Sequence, residues 1–123
     1  MSSKQEFLST ILKEGELYAG IILGKDGKPD HHLILLPGQG KDLNWMDAKK
    51  WAEKAGGDLP TRREQSLLFA NLSEQFEKVW YWSGEQHAGG SDYAWSQSFY
   101  SGVQSNSNEY SKLLVRAVRR SVI

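Results

Sequence analysis

At Val79 the hydrophobic period of this chain changes from that of a helix to that of a strand, and few fold classes accommodate both halves. Upstream, apolar residues recur three and four positions apart: Trp45, Ala48, Trp51, Ala52 and Ala55, then Leu67, Leu68, Leu72 and Phe76. Asn44 is placed to cap the first of these helices, with Asp47 at its third position, where a carboxylate suits the exposed amides. Gly56-Gly57 stops it. Thr61-Arg62-Arg63-Glu64, just after Pro60, reads as a capping box that opens the second. Downstream the alternation is strict. Residues 80–83 form a strand and residues 87–92 a glycine-rich loop. Residues 93–100 form a strand in which Tyr93, Trp95 and Phe99 alternate with Ala94, Ser96 and Ser98. A polar segment spans 101–112, and a last strand spans 113–122.

The N-terminal part repeats the contrast on a smaller scale. Phe7, Leu8, Ile11 and Leu12 put one apolar stripe on a helix over 3–13, which Gly15 ends. Strands over 17–23 and 32–36 flank Lys25-Asp26-Gly27-Lys28-Pro29, whose Asp-Gly pair supplies the positive φ angles of a hairpin turn. Pro37-Gly38-Gln39-Gly40 then breaks the pattern. A hairpin, two helices and a β-rich half make the class α+β. Residues 1–16 are read as an N-terminal helix and candidate oligomerisation element, and residues 17–123 as the main domain.

Composition narrows what such a domain does. At 123 residues the chain fits one domain with one real core. Its 15 basic and 15 acidic side chains balance, which argues against a footprint for nucleic acid or a membrane surface spread over the molecule. The absence of Cys rules out disulfides, cysteine-ligated zinc and thiol catalysis. No run approaches the 18–20 or so apolar residues of a membrane span, and the mean hydropathy of −0.56 agrees. The N-terminus reads as neither signal peptide nor anchor.

Candidate chemistry is sparse. His31 and His32, adjacent on a strand, point to opposite faces and cannot share one metal. His87 has Glu85 two positions before it, and Ser83-Gly84 lies beside both, but triads are assembled from distant segments, so this crowding is weak evidence for an enzyme. No metal or cofactor is expected. Arg116 and Arg120 share a face if 113–122 is one strand, a candidate anion patch, while Arg62 and Arg63 open a helix; ion pairing is the plainer expectation for all of them. The richest stretch is 93–110, where Tyr93, Gln97, Tyr100, Gln104, Asn106, Asn108 and Tyr110 stand among serines. Rigid aromatic anchors beside adaptable polar groups are the chemistry of binding loops. Gln97, out of place in an apolar row, marks where that face leaves the core.

The ordered motifs DLPTRREQSLLFANL, YWSGEQ, YAWSQSF followed by Gly102, and VRAVRR resemble those of short phage and prophage proteins of uncharacterised function. The shared domain resembles the C-terminal domain of a bacterial collagen-like adhesin and, more distantly, the formylglycine-generating-enzyme branch of the C-type lectin fold. The resemblance covers residues 17–122. It implies a C-type-lectin-like fold, two helices flanking a small twisted antiparallel sheet, with Leu59, Pro60, Arg63, Trp82, Trp95 and Phe99 as scaffold. The catalytic cysteines of the formylglycine enzymes and the calcium-dependent sugar-binding signatures have no counterpart here. The resemblance therefore implies a non-catalytic protein, in the virion or the cytoplasm of an infected or lysogenic bacterium. Its expected role is to hold a protein or glycan partner through the C-terminal strands and loops; a small virion assembly protein is the alternative. A metal-free fold predicts that a strong chelator leaves thermal unfolding unchanged. A midpoint falling by more than about 5 °C, the equivalent of roughly 1 kcal/mol in such a domain, would contradict it.

Overall fold

The computed structural model describes residues 2–123. In chain order the elements are α1 (Ser3–Ile11), β1 (Leu17–Ile22), β2 (His31–Leu35), β3 (Gly40–Leu43), α2 (Trp45–Lys54), α3 (Arg62–Leu72), a 3-10 turn (Ser73–Gln75), β4 (Trp80–Gln86), β5 (Tyr93–Ser98), β6 (Gln104–Asn108), β7 (Leu113–Val115) and β8 (Val118–Val122). The fold is α+β, as the sequence implies. Strands β1-β2-β8 form an antiparallel three-stranded sheet. Strands β3-β7-β4-β5-β6 form a five-stranded sheet, antiparallel except where β4 and β7 meet in parallel at Tyr81 and Leu114.

Both central helices start where their caps predict. Asn44 accepts from the Asp47 amide, and Thr61 and Glu64 complete a reciprocal capping box. The glycine pair ends α2 for two reasons. Gly56 has φ +94°, and a Cβ at Gly57 would lie 2.1 Å from the Val118 carbonyl oxygen. The backbone that leaves α2 is thereby pressed onto β8, where Asp58 and Val118 exchange hydrogen bonds.

The helices lie over two apolar clusters. Under α2, Ala48 and Ala52 let the helix approach Trp82, Ala94 and Val115 closely. The two indole N–H groups are satisfied in this cluster: Trp45 donates to the Ser83 carbonyl at 2.8 Å and Trp82 to the Leu43 carbonyl at 2.9 Å. Under α3, Leu68 meets Leu33, Leu35, Phe76, Tyr81 and Phe99. Phe76 stacks on Phe99 at 3.9 Å between ring centres, and Tyr81 presents its edge to both.

Four sequence expectations are corrected. The run 113–122 is two strands, one in each sheet, broken at Arg116-Ala117. The polar segment 101–112 contains strand β6. Gly40, read as the end of a breaker, opens strand β3, which runs to Leu43. The first hairpin has its Asp-Gly pair at positive φ as expected, 55° and 80°, but at the tip of a loop spanning 23–30.

The N-terminal helix ends at Ile11, short of Gly15, and lies on its own domain. Phe7 packs against His32, 4.9 Å between ring centres, and near Tyr18. Arg119 of β8 donates to the Ile11 carbonyl at 2.5 Å and forks onto Glu16 at 2.7 and 2.9 Å. No residue of α1 is buried, so the docking is shallow. Deleting residues 1–14 keeps the Arg119–Glu16 pair but exposes Tyr18 and His32. The expected loss of stability is about 1–2 kcal/mol, the scale of partly burying a Phe and its neighbours, with no change of mass by light scattering. A larger species that becomes a monomer on deletion would show that α1 joins copies of the chain.

Candidate functional site

The first turn of α3 is where strand, helix and loop chemistry converge. Glu64 is the third helical residue, and its side chain is only 1% exposed. Its Oε1 accepts from the Thr61 amide at 2.8 Å and from Arg120 Nη2 at 2.8 Å. Its Oε2 accepts from Arg120 Nε at 2.7 Å and meets His31 Nε2 at 2.7 Å. Burial works to raise the Glu64 pKa. The Arg120 fork, the Thr61 amide and His31 outweigh it and hold the carboxyl below the ordinary range. Adjacent His32 points to the other face of β2 and meets the Tyr18 hydroxyl at 2.8 Å.

The arginines of the last strands do not form one patch. Arg120 is neutralised by Glu64 and by Asp58 at 2.9 Å. Arg116 lies in the break between β7 and β8, so the alternation assumed for a single strand does not run through it. Its guanidinium covers Phe76 and donates to the carbonyls of Gln75 at 2.6 Å and Leu36 at 3.0 Å, with burial lowering its pKa. The shared face expected for Arg116 and Arg120 is thus replaced by two separate structural roles.

Gln97 is corrected as well. It is fully buried, so it is a strut and no partner reaches it. Its amide donates to the Gln65 carbonyl at 2.9 Å and its oxygen accepts from Gln104 at 2.7 Å. Gln104 donates to the Arg62 carbonyl at 2.7 Å as well, and Gln65 reaches the carbonyls of Tyr81 and Trp82. This glutamine ladder ties α3 to the sheet. The polar residue in the apolar row therefore marks where the helix crosses the strands, and the row leaves the core on the other side, toward Tyr93.

Register decides what does reach solvent. Tyr93 pairs with Asn108, Trp95 with Asn106 and Gln97 with Gln104, and residues directly opposite share a face. One face of β5–β6 thus runs from exposed Tyr93, Asn106 and Asn108 to half-buried Gln104 and buried Gln97. Trp95 in its middle is half-buried, with the Arg62 guanidinium 3.5 Å from its ring centre and the His87 ring at 4.8 Å. Tyr110 lies just past this end of β6 and is 78% exposed. Tyr100 is equally open but sits in the turn at the opposite end of β5, about 17 Å away at the rise of an extended strand. The structure joins Tyr93, Asn106 and Asn108 on one face, with Tyr110 at its end, and leaves Tyr100 apart.

Beside this face a cleft of about 580 Å³ opens between the 23–30 loop and the start of α3. Arg62 stands at the border of the two. Sequence reading noted Arg62 and Arg63 as helix-start charges, but nothing local tied them to Lys25 and Lys28 across the cleft. The crowded Ser83, Glu85 and His87 do not form a relay. Ser83 is buried and its hydroxyl accepts from the Glu85 amide, Glu85 accepts from the Arg62 amide at 2.6 Å, and His87 Nδ1 accepts from the Gly89 amide. Among the described residues no three His, Asp or Glu side chains are grouped to hold a metal, and no helix is long and apolar enough to cross a membrane. No protein-family model matches the chain, and no curated protein matches it.

The Glu64 geometry carries a pH dependence. A carboxyl held below its unfolded pKa of about 4.3 contributes stability that is fully present above that value. The contribution is lost as pH falls through the lower folded pKa. Glu64→Gln keeps a capping side chain and removes the charge opposite Arg120. It is expected to cost about 3 kcal/mol at neutral pH, the low end for breaking a buried pair because Asp58 remains. Urea unfolding at pH 7 and pH 3 tests this: the gap between variant and parent narrows at low pH. An unchanged gap would mean the carboxylate charge is not what stabilises the junction.

Proposed function

We propose that this chain is a non-catalytic binding protein that holds a macromolecular partner on the Tyr93–Asn108 end of strands β5 and β6. The observation that carries the reading is the contrast along one strand face. Gln97 and Gln104 are fixed by hydrogen bonds, while Tyr93, Asn106 and Asn108 stand exposed on the same rigid ribbon around a half-buried Trp95. A tyrosine and two amides held by a backed strand lose little entropy when a partner arrives, and aromatic anchors of this kind dominate interface energies.

A phage or prophage origin is supported by the four ordered motifs. A C-type-lectin-like fold is supported by the two central helices, α2 against β3, β4 and β7 of the mostly antiparallel five-stranded sheet and α3 across both sheets. A non-catalytic role is supported by Ser83, Glu85 and His87, which are committed to local hydrogen bonds and ring packing.

A pull-down from host lysate names the partner, and point variants then locate its contact. Tyr93→Ala combined with Asn106→Ala is expected to weaken capture by at least about 30-fold, the equivalent of 2 kcal/mol, while changing stability by only about 0.5 kcal/mol. Tyr100→Ala is expected to leave capture intact. Gln97→Ala is expected to destabilise the fold by about 1–3 kcal/mol through the unpaired groups it leaves. Undiminished capture by the Tyr93/Asn106 double variant would place the contact elsewhere.

A further inference from the structure

The cleft beside the strand face has a charge surplus that its own residues do not neutralise. Lys25, Lys28, Arg62, Arg63 and Arg120 line it against Asp26, Glu64 and Glu85. Glu64 is consumed by Arg120 and His31, and Glu85 accepts from the Arg62 backbone. Among the described residues, Lys25, Lys28, Arg62 and Arg63 have no carboxylate within 4.0 Å of their charged nitrogens. The helix N-terminus adds little of its own, because the amides of Arg62 and Glu64 already have acceptors.

Two of these cations are held in position. The Arg62 guanidinium lies over Trp95 and donates through Nε to Gln104 at 3.0 Å, which leaves its two terminal amino groups free of protein acceptors. Arg63 donates through Nη2 to the Leu23 carbonyl at 2.9 Å, which draws it across the mouth of the cleft toward the loop. A planar guanidinium already oriented by stacking and one hydrogen bond loses less freedom when it meets a carboxylate than a free one does. The walls between the charges are apolar, with Leu23 64% exposed and Pro29 beside it. The volume of about 580 Å³ falls in the range of ordinary ligand pockets. Forked donors above an apolar wall suit a carboxylate on a short hydrocarbon stem.

We propose that this cleft receives an acidic peptide segment of the partner, with an Asp or Glu carboxylate seated between Arg62, Arg63 and the Lys25–Lys28 loop. The inference rests on the reading that the neighbouring strand face binds that partner, since Arg62 belongs to both surfaces.

The probe is a blocked hexaglutamate peptide, with hexaglutamine as its uncharged control, followed by nitrogen–proton NMR on the full chain. The expected result is saturable shifts at the Arg62 and Arg63 side-chain N–H groups and at residues 25–28 with hexaglutamate, absent with hexaglutamine and weaker at high salt. Lys25→Gln/Lys28→Gln/Arg63→Gln, all at exposed positions, is expected to weaken peptide binding at least tenfold without moving the unfolding midpoint. Shifts that do not saturate, unchanged affinity in the triple variant, or a sulfated polysaccharide that occupies the cleft while the peptide does not would overturn the proposal. So would undiminished capture of the lysate partner by the triple variant. Failure of the strand-face reading has a different signature: capture then survives Tyr93→Ala/Asn106→Ala but is still lost in the triple variant.

Discussion

Glu64 holds three elements that are distant in sequence. Its carboxylate closes the cap of α3, binds Arg120 of β8 through both oxygens and meets His31 of β2, all without contact with solvent. A buried carboxylate is tolerated only when its lone pairs are filled, and here every donor comes from a different piece of structure. The position of α3 over the three-stranded sheet follows from this one group. The cleft follows as well, because its floor is the Glu64–Arg120 pair and its rim is the residues that the cap places on the outer side of the helix.

A second polar connection, the glutamine ladder, works on the other sheet. It places the same helix on β5 and β6 through amides alone. Between them the two networks fix α3 against both sheets, and Arg62 is left at the surface where they meet. Its stacking on Trp95 is an electrostatic contact between a cation and a ring face, held in place by Gln104. The binding surface is therefore built on regular elements and inherits their rigidity.

The elements with strong local signals were legible in the sequence. Asn44 and the Thr61–Glu64 box start their helices where expected, and the change of period at Val79 places β4 and β5. Strand β6 was not legible because Gln104–Asn108 contains no apolar residue. It is an edge strand held by backbone pairing to β5, and neither face has to declare itself in composition. The break at Arg116-Ala117 was hidden because residues 113–122 carry no Gly or Pro, and nothing in that run says which sheet each half joins. Of the candidate site, Tyr93, Asn106, Asn108 and Tyr110 were legible as exposed groups. Gln97 was misread because alternation gives a residue's face but not what covers that face. The cleft cations come from segments more than thirty positions apart, and only the β2–α3 junction brings them together.

The split of the last strand bears on how the chain reaches this structure. Residues 113–122 join both sheets: β7 lies between β3 and β4, and β8 closes against β2, so that His31 pairs with Val122 and Arg119 reaches back 103 residues to Glu16. Contacts of that span close late, because the loop entropy is lost before any contact rewards it. On the ribosome, the early β1–β2 hairpin is complete long before its other neighbour exists. Until then β2 presents Leu33, Ile34 and Leu35 along an unpaired edge, the kind of surface that invites strand addition from another nascent chain. The polar networks at Glu64 and Arg119 form only when β8 arrives, so a strand made after the elements it joins is also the one that commits them.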